Sequence, residues 1–316
     1  MEKLIIDTDL GFDCDDAGAL AIADILKNKS EIDVLAVTHS INRKKGAEAI
    51  SIINDYYGNG DIPVGVAERY AINVDKFYDE FYVKFRYTDD FHGWSEEPTF
   101  YKILNGLDTS KYDKVRYPHA KNLIADVLRK AADGEVTVVC IGQANNVADI
   151  LESEGKLYRR KVKRTVIMCG NFTEYDYEYL LGDMYWKGEF NVLLDIPSMQ
   201  KLFRNIDLPI CVLDFNQGFD VLSGESLAAQ TNNPVRTAYH IHGKGRTFNL
   251  PSWDPMTVMF ASGCYDDMFE LSDPGTVSVD DNGKSVFMPG KGNHRLIYRK
   301  SAQSVFAKTI NELLAK

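Results

Sequence analysis

The chain has 316 residues and a formal charge of -10 at pH 7, with 45% hydrophobic and 26% charged residues. This is the make-up of a globular protein long enough to bury a sizeable core. Its negative charge argues against nucleic acid or an anionic membrane surface as a partner. No apolar run approaches transmembrane length, and the N-terminus enters a strand pattern without the basic and apolar regions of a signal peptide; the expected location is the cytoplasm.

Lys3-Leu4-Ile5-Ile6 reads as a buried strand, and it runs into Asp7-Thr8-Asp9-Leu10-Gly11-Phe12-Asp13-Cys14-Asp15-Asp16. Ala17, Leu20, Ala21 and Ile25 then recur with helical spacing, and Asp15 or Asp16 is placed to cap that helix. Five carboxylates therefore crowd one strand-to-helix turn. Acids packed so closely repel unless a cation or protons neutralise them, and a helix N-terminus offsets only about half a charge. A hard divalent cation, Ca²⁺ or Mg²⁺, answers that need with oxygen ligands. An EF-hand does not fit: counting from Asp7, its glycine and glutamate places hold Phe12 and Gly18.

Further along, residues 32 to 38 form a second apolar run ending in His39-Ser40-Ile41-Asn42, a helix is expected over Ala47 to Tyr57, and Pro63 to Val66 is a short strand. Residues 68 to 120 are rich in Tyr, Phe and Asp with weak periodicity, include His92 and Trp94, and read as a functional loop. A helix near 121 to 132 precedes the continuous apolar strand Val136 to Ile141, which ends in Gly142-Gln143-Ala144-Asn145-Asn146. Strands follow at 164 to 168 and 209 to 213, with Gly188-Glu189-Phe190-Asn191 between them. Ser252-Trp253-Asp254-Pro255 opens another helix, and the chain closes with a hairpin, a further strand segment and a helix. This alternation predicts an α/β fold: a mostly parallel open sheet with helices on both faces and a small C-terminal β-hairpin, in one domain spanning 1–316. The five cysteines are widely scattered without a CxxC pair and read as reduced, mostly buried thiols.

Asp9 with Asp15 and Asp16, Asn42, His92 with Trp94, Asn145, Glu189 with Asn191, and Trp253 with Asp254 all fall at or near strand ends. Their order and spacing resembles the nucleoside hydrolase family, the inosine-uridine-preferring type, whose hallmark is an Asp-x-Asp-x-Gly-x-Asp-Asp turn. Here that turn is two residues longer. The resemblance implies Ca²⁺ as cofactor, with Asp9, Asp16 and Asp254 as carboxylate ligands and Asn145 lending its backbone carbonyl. It implies that Asp15 takes the proton of the attacking water, with Asp13 a competitor for that role. Asn42 would contact ribose hydroxyls, Glu189 and Asn191 the 5′-hydroxyl, and Asp183, in a Gly-Asn slot, is a weaker candidate. His92 and Trp253 would face the base, and Trp94 is a further substrate-binding candidate.

The resemblance further implies a small-molecule nucleoside substrate, no nucleic acid or membrane partner, and a homodimer or homotetramer. N-glycoside hydrolysis passes through an oxocarbenium-like sugar, so such a site must deliver water and stabilise positive charge. Many members place a His before the metal-binding Asp to protonate the leaving base; this chain has Trp253 there, as purine-preferring members do, and purine nucleosides are the expected substrates. The alternative from a different class is a catalytically weak protein that keeps the metal and sugar contacts and binds a ribosyl ligand. An aspartate-nucleophile phosphotransferase, suggested by Asp7-Thr8-Asp9, lacks a lysine and later acids that can be placed.

Overall fold

A computed structural model describes residues 1–11, 13–69, 102–172 and 188–316. Its chain order begins β1 (Glu2–Thr8), α1 (Asp15–Asn28), β2 (Ile32–His39), α2 (Lys44–Tyr56) and β3 (Val64–Val66). After α3 (Ala120–Lys130) come β4 (Val136–Ile141), α4 (Asn145–Lys161) and β5 (Val162–Met168). The short α5 (Phe190–Leu194) and α6 (Ile196–Phe203) lead to β6 (Ile210–Leu213), then α7 (Pro234–His242) and α8 (Trp253–Ser262). Strands β7 (Phe269–Leu271), β8 (Gly275–Val279), β9 (Ser285–Pro289) and β10 (His294–Arg299) precede the closing α9 (Gln303–Leu314).

The strands form one sheet in the order β3-β2-β1-β4-β5-β6-β10-β8-β9, with β7 paired to β10. From β3 to β6, and on to β10, neighbouring strands run parallel. The C-terminal hairpin β8–β9 is antiparallel and continues the sheet through β10 instead of standing apart from it. Chain order reverses direction across the sheet between β1 and β4. Ligands of open α/β sheets bind outside the carboxyl ends of the strands at such a reversal, and the acidic turn leaves β1 at that place.

The parallel strands need apolar residues on both faces, which is why they read as unbroken runs. In β1, Leu4 and Ile6 enter the core layer that includes α1, while Ile5 enters the opposite layer with Val136, Val138 and Ile124. The amphipathic reading of α1 needs correction, because nearly every residue from Asp15 to Leu26 is buried. The helix packs against α2, α7, α8 and α9 as well as β2, so no face is left for solvent. The capping expectation is also corrected. Cys14 occupies the N-cap without a side-chain bond, and Asp15 and Asp16 lie inside the first turn, where their charge still opposes the helix dipole.

His39, at the end of β2, is fully buried, with Nδ1 2.8 Å from the Ile41 carbonyl and Nε2 3.0 Å from the Leu10 carbonyl. It thus ties the acidic turn to the turn that carries Asn42. Room for the ring exists because residue 46 is glycine: a Cβ there would lie 2.0 Å from the imidazole. Alanine in a helix gains at most about 1 kcal/mol over glycine, whereas overpacking a rigid core costs about 1–3 kcal/mol. Burial lowers the His39 pKa to about 4, so the neutral ring donates from one nitrogen to one of these carbonyls, and in the packed core it cannot yield cheaply. Gly46→Ala should therefore destabilise the fold by roughly 1–2 kcal/mol in urea unfolding; an unchanged or raised midpoint would contradict this packing.

Candidate metal and substrate site

The site is built outward from the end of β1. Gly11 takes a φ of 140°, a region that side chains avoid, so the chain can turn there between Asp9 and Asp13. Thr8 accepts from the Leu10 N–H at 3.2 Å and donates its hydroxyl to Asp16, which sets the turn against the first turn of α1. One carboxylate oxygen from each of Asp13, Asp15, Asp16 and Asp254 lies within 4.8 Å of all the others. Asp254 reaches this group from the start of α8, and its backbone N–H donates to Asp15 Oδ2 at 3.0 Å. Asp9 is buried beside them but stands outside this tightest group, pressed against Gly142, where a Cβ would come within 2.8 Å of its Cγ.

Burial, and after it the neighbouring acids, hold Asp9, Asp15, Asp16 and Asp254 well above the usual carboxylate range. The charges that act most strongly on each are other carboxylates. Burial pushes the Cys14 thiol up as well, so it is no nucleophile. Asp7, one residue earlier, faces β4 and α4. It accepts from Thr38 Oγ1 at 2.6 Å and Asn146 Nδ2 at 2.7 Å, and burial pushes it up to about 7. The donor set of hard oxygens, with negative charge far in excess of local positive charge, fits a divalent cation of the Ca²⁺ type.

At the end of β4, Asn145 is buried at the first position of α4 and donates from Nδ2 to the Ser40 carbonyl at 2.7 Å. Its Oδ1 has no partner among the described residues. Asn42 is half-buried and donates to the Glu68 carbonyl at 2.8 Å, which fixes the turn after β2 to the chain leaving β3. Beyond β5, Glu189 caps α5: Oε1 accepts from Asn191 N–H at 2.9 Å, and Oε2 from Gly170 N–H at 2.9 Å and Val192 N–H at 3.3 Å. Burial still pushes Glu189 up to about 7 against the lowering effect of those donors. Asn191 donates to the Met168 carbonyl at 3.2 Å.

Trp253, one residue before Asp254, is half-buried, and its indole N–H donates to the Phe215 carbonyl at 2.6 Å. Its ring lies 5.1 Å from that of Phe215 and against Gly218, where a Cβ would come within 2.5 Å of the indole. The tryptophan is a fixed plane beside the carboxylates rather than a mobile side chain. His92, Trp94 and Asp183 lie outside the described residues. Sequence reasoning passed over His39 and Asp7. Asp7 stood within the acidic turn in plain view, whereas the place of His39 is set by Gly46, which gives no signal of its own.

A mostly parallel open sheet whose switch point carries a buried carboxylate group is an α/β protein with a candidate metal centre at its ligand-binding rim. The family model described as inosine-uridine preferring nucleoside hydrolase matches residues 4–310, and the chain belongs to that family. A pyrimidine-specific ribonucleoside hydrolase, RihA, of Citrobacter koseri is 28% identical over 78% of this chain and 77% of its own. Among solved structures, the inosine-uridine preferring nucleoside hydrolase of Bacillus anthracis superposes with a TM-score of 0.72 at 16% identity, covering 100% of this chain and 99% of that one. A purine-preferring ribonucleoside hydrolase from Gardnerella vaginalis does so with a TM-score of 0.70 at 17% identity over 99% of each. The protein is a nucleoside hydrolase, an enzyme of a metal-dependent family that acts on small-molecule nucleosides. No helix among the described residues is long and apolar enough to cross a membrane.

The Glu189 carboxyl gives the site a pH signature. Its folded pKa, about 7, lies above the value of 4.5 it has in an unfolded chain. Between those values the folded state holds a proton that the unfolded state has lost, so the stabilisation is full below about 4.5 and is lost as pH rises through 7. In chelator, the unfolding free energy should fall from pH 5 to pH 8, and Glu189→Gln should reduce that fall by roughly 1–3 kcal/mol. A variant with the parent's pH slope would contradict a buried, protonated Glu189.

Proposed function

We propose that this enzyme hydrolyses the N-glycosidic bond of purine ribonucleosides to free base and ribose, with Ca²⁺ as its cation. The observation that carries the reading is the convergence of Asp13, Asp15, Asp16 and Asp254 within 4.8 Å at the switch point of the sheet. Asp16 and Asp254 of that group, with Asp9 buried beside it and the carbonyl of Asn145, would hold the cation. When bound, it supplies Lewis acidity toward water and the ribose hydroxyls. Asp15 accepts the proton of the attacking water, since its orientation is already set by the Asp254 N–H. Asn42 contacts ribose hydroxyls, and Glu189 and Asn191 bind the 5′-hydroxyl from an anchored position. Remote contacts of this kind raise kcat because they position and distort the sugar.

Leaving-group activation falls to Trp253 and His92, which face the base, with Trp94 among the substrate contacts and Asp183 near the sugar. Stacking on a fixed indole favours a large π surface, which purines offer. The family relatives divide on this point, one being pyrimidine-specific and another purine-preferring. The whole chain acts as one domain, assembled as a homodimer or homotetramer, in the cytoplasm.

Release of base and ribose from a nucleoside panel tests this directly. Inosine, adenosine or guanosine should be cleaved faster than uridine, chelator should abolish the activity, and calcium should restore it. Full activity in chelator contradicts the metal mechanism. Faster cleavage of uridine than of inosine contradicts the stacking role. Trp253→Ala should lower kcat for purine nucleosides, and Trp253→His should move preference toward uridine.

A further inference from the structure

Arg69, just past β3, joins two segments that the proposed mechanism uses to hold the sugar. We infer that Arg69 is a positioning residue of the hydrolase: through Asp195, its guanidinium fixes the arm that carries Glu189 and Asn191 relative to the turn that carries Asn42. The inference rests on the nucleoside hydrolase reading above and deepens it.

One end of this connection is the chain that leaves β3. The Ala67 N–H donates to the His39 carbonyl at 2.8 Å, and the Glu68 carbonyl accepts from Asn42 Nδ2 at 2.8 Å, so residues 67 and 68 are laid against the end of β2 and the turn after it. Glu68 also pairs with Lys121 of α3 at 2.9 Å. Arg69 therefore starts from backbone that is already fixed to the Asn42 turn. Its guanidinium then meets two helices. Nη1 donates to Asp195 Oδ2 at 2.8 Å, Nη2 donates to Ser198 Oγ on α6 at 2.7 Å, and Nε lies 3.4 Å from Asp149 Oδ1 on α4. Asp195 is completely buried. Three donors in a rigid fork reach three acceptors from two helices and their caps, an arrangement suited to a guanidinium and not to the single ammonium of lysine.

The other end is the joint between α5 and α6. Asp195 closes α5 and is also the N-cap of α6, with its Oδ1 accepting from the Ser198 N–H at 3.1 Å. Helix α5 has five residues, too few to hold a helix by its own hydrogen bonds, so its place depends on what fastens its ends. Glu189 fastens the first end through three backbone N–H groups, and Asp195 fastens the second. Asn191 lies between them on the same helix. Without Arg69, Asp195 keeps its cap bond but loses its cation, and α5 loses this link to the turn after β2. A shift of about 1 Å in the groups that orient a substrate lowers the rate by up to about a hundredfold. Arg69 thus acts through Asp195 and α5 and not on the reacting atoms.

Steady-state kinetics of the full chain in calcium, on inosine and on 5′-deoxyinosine, tests the assignment. The parent should turn over 5′-deoxyinosine with a lower kcat than inosine, because the 5′-hydroxyl is the group that this arm holds. Arg69→Ala should lower kcat for inosine by roughly ten- to a hundredfold, and kcat for 5′-deoxyinosine by less than about threefold. Equal losses on the two substrates, or a lowered melting temperature with kcat for inosine unchanged, make Arg69 a structural bond only and overturn the inference. Asp195→Asn keeps a capping oxygen for the Ser198 N–H while removing the charge that Arg69 pairs with. It should reproduce the selective loss, and it decides the question where Arg69→Ala does not fold. The failures of the underlying reading look different. A parent that cleaves uridine and not inosine overturns only the purine preference, and uridine with 5′-deoxyuridine then gives the same ratio. A parent that cleaves each pair at one rate overturns the 5′-hydroxyl assignment and the inference with it, and a parent that cleaves none of the four overturns the proposed function itself.

Discussion

Repulsion among the carboxylates at the end of β1 is the constraint on which the rest of the site depends. Asp9, Asp13, Asp15, Asp16 and Asp254 are brought together by a strand end, a left-handed glycine turn and the first turns of two packed helices. Four of these acids are buried, and burial raises the cost of each charge before any neighbour is considered. The helix dipole of α1 offsets only a fraction of one charge. The fold holds this arrangement because α1 is packed on all sides and cannot tilt away, and because Thr8, His39 and the backbone of Asp254 fasten the acids and their turns to three separate elements. A cation bound there would offset that repulsion and so couple its binding to the stability of the fold.

The same logic explains the positions of the polar groups around the cluster. His39 packs between the acidic turn and the turn that carries Asn42, and Ser40 receives the amides of Gln143 and Asn145 through its carbonyl. Glu189 gathers three backbone N–H groups and so shapes the loop after β5 around the place where a 5′-hydroxyl would bind. Several of these bonds join segments that leave different strands. The rim is therefore cross-linked by buried hydrogen bonds, which keeps its side chains in fixed relation.

Much of this was legible in the sequence. Unbroken apolar runs at Leu4 to Ile6 and Val136 to Ile141 marked parallel strands, and acids concentrated in ten residues after such a run marked the rim. Local spacing could not reveal what distant chain segments do. Helix α1 has a helical apolar stripe, but α8 and α9, more than two hundred residues later, pack on it as well and leave it buried from Asp15 to Leu26. The C-terminal hairpin was visible as a hairpin, while its continuation of the main sheet depends on β10 pairing with β6.

The most direct measurement is an anomalous difference map from crystals of the full chain grown with calcium. The account predicts one strong peak between α1 and α8, within ligand distance of Asp16 and Asp254. A map with no peak at that position, or with calcium bound only at exposed acids elsewhere, would contradict it.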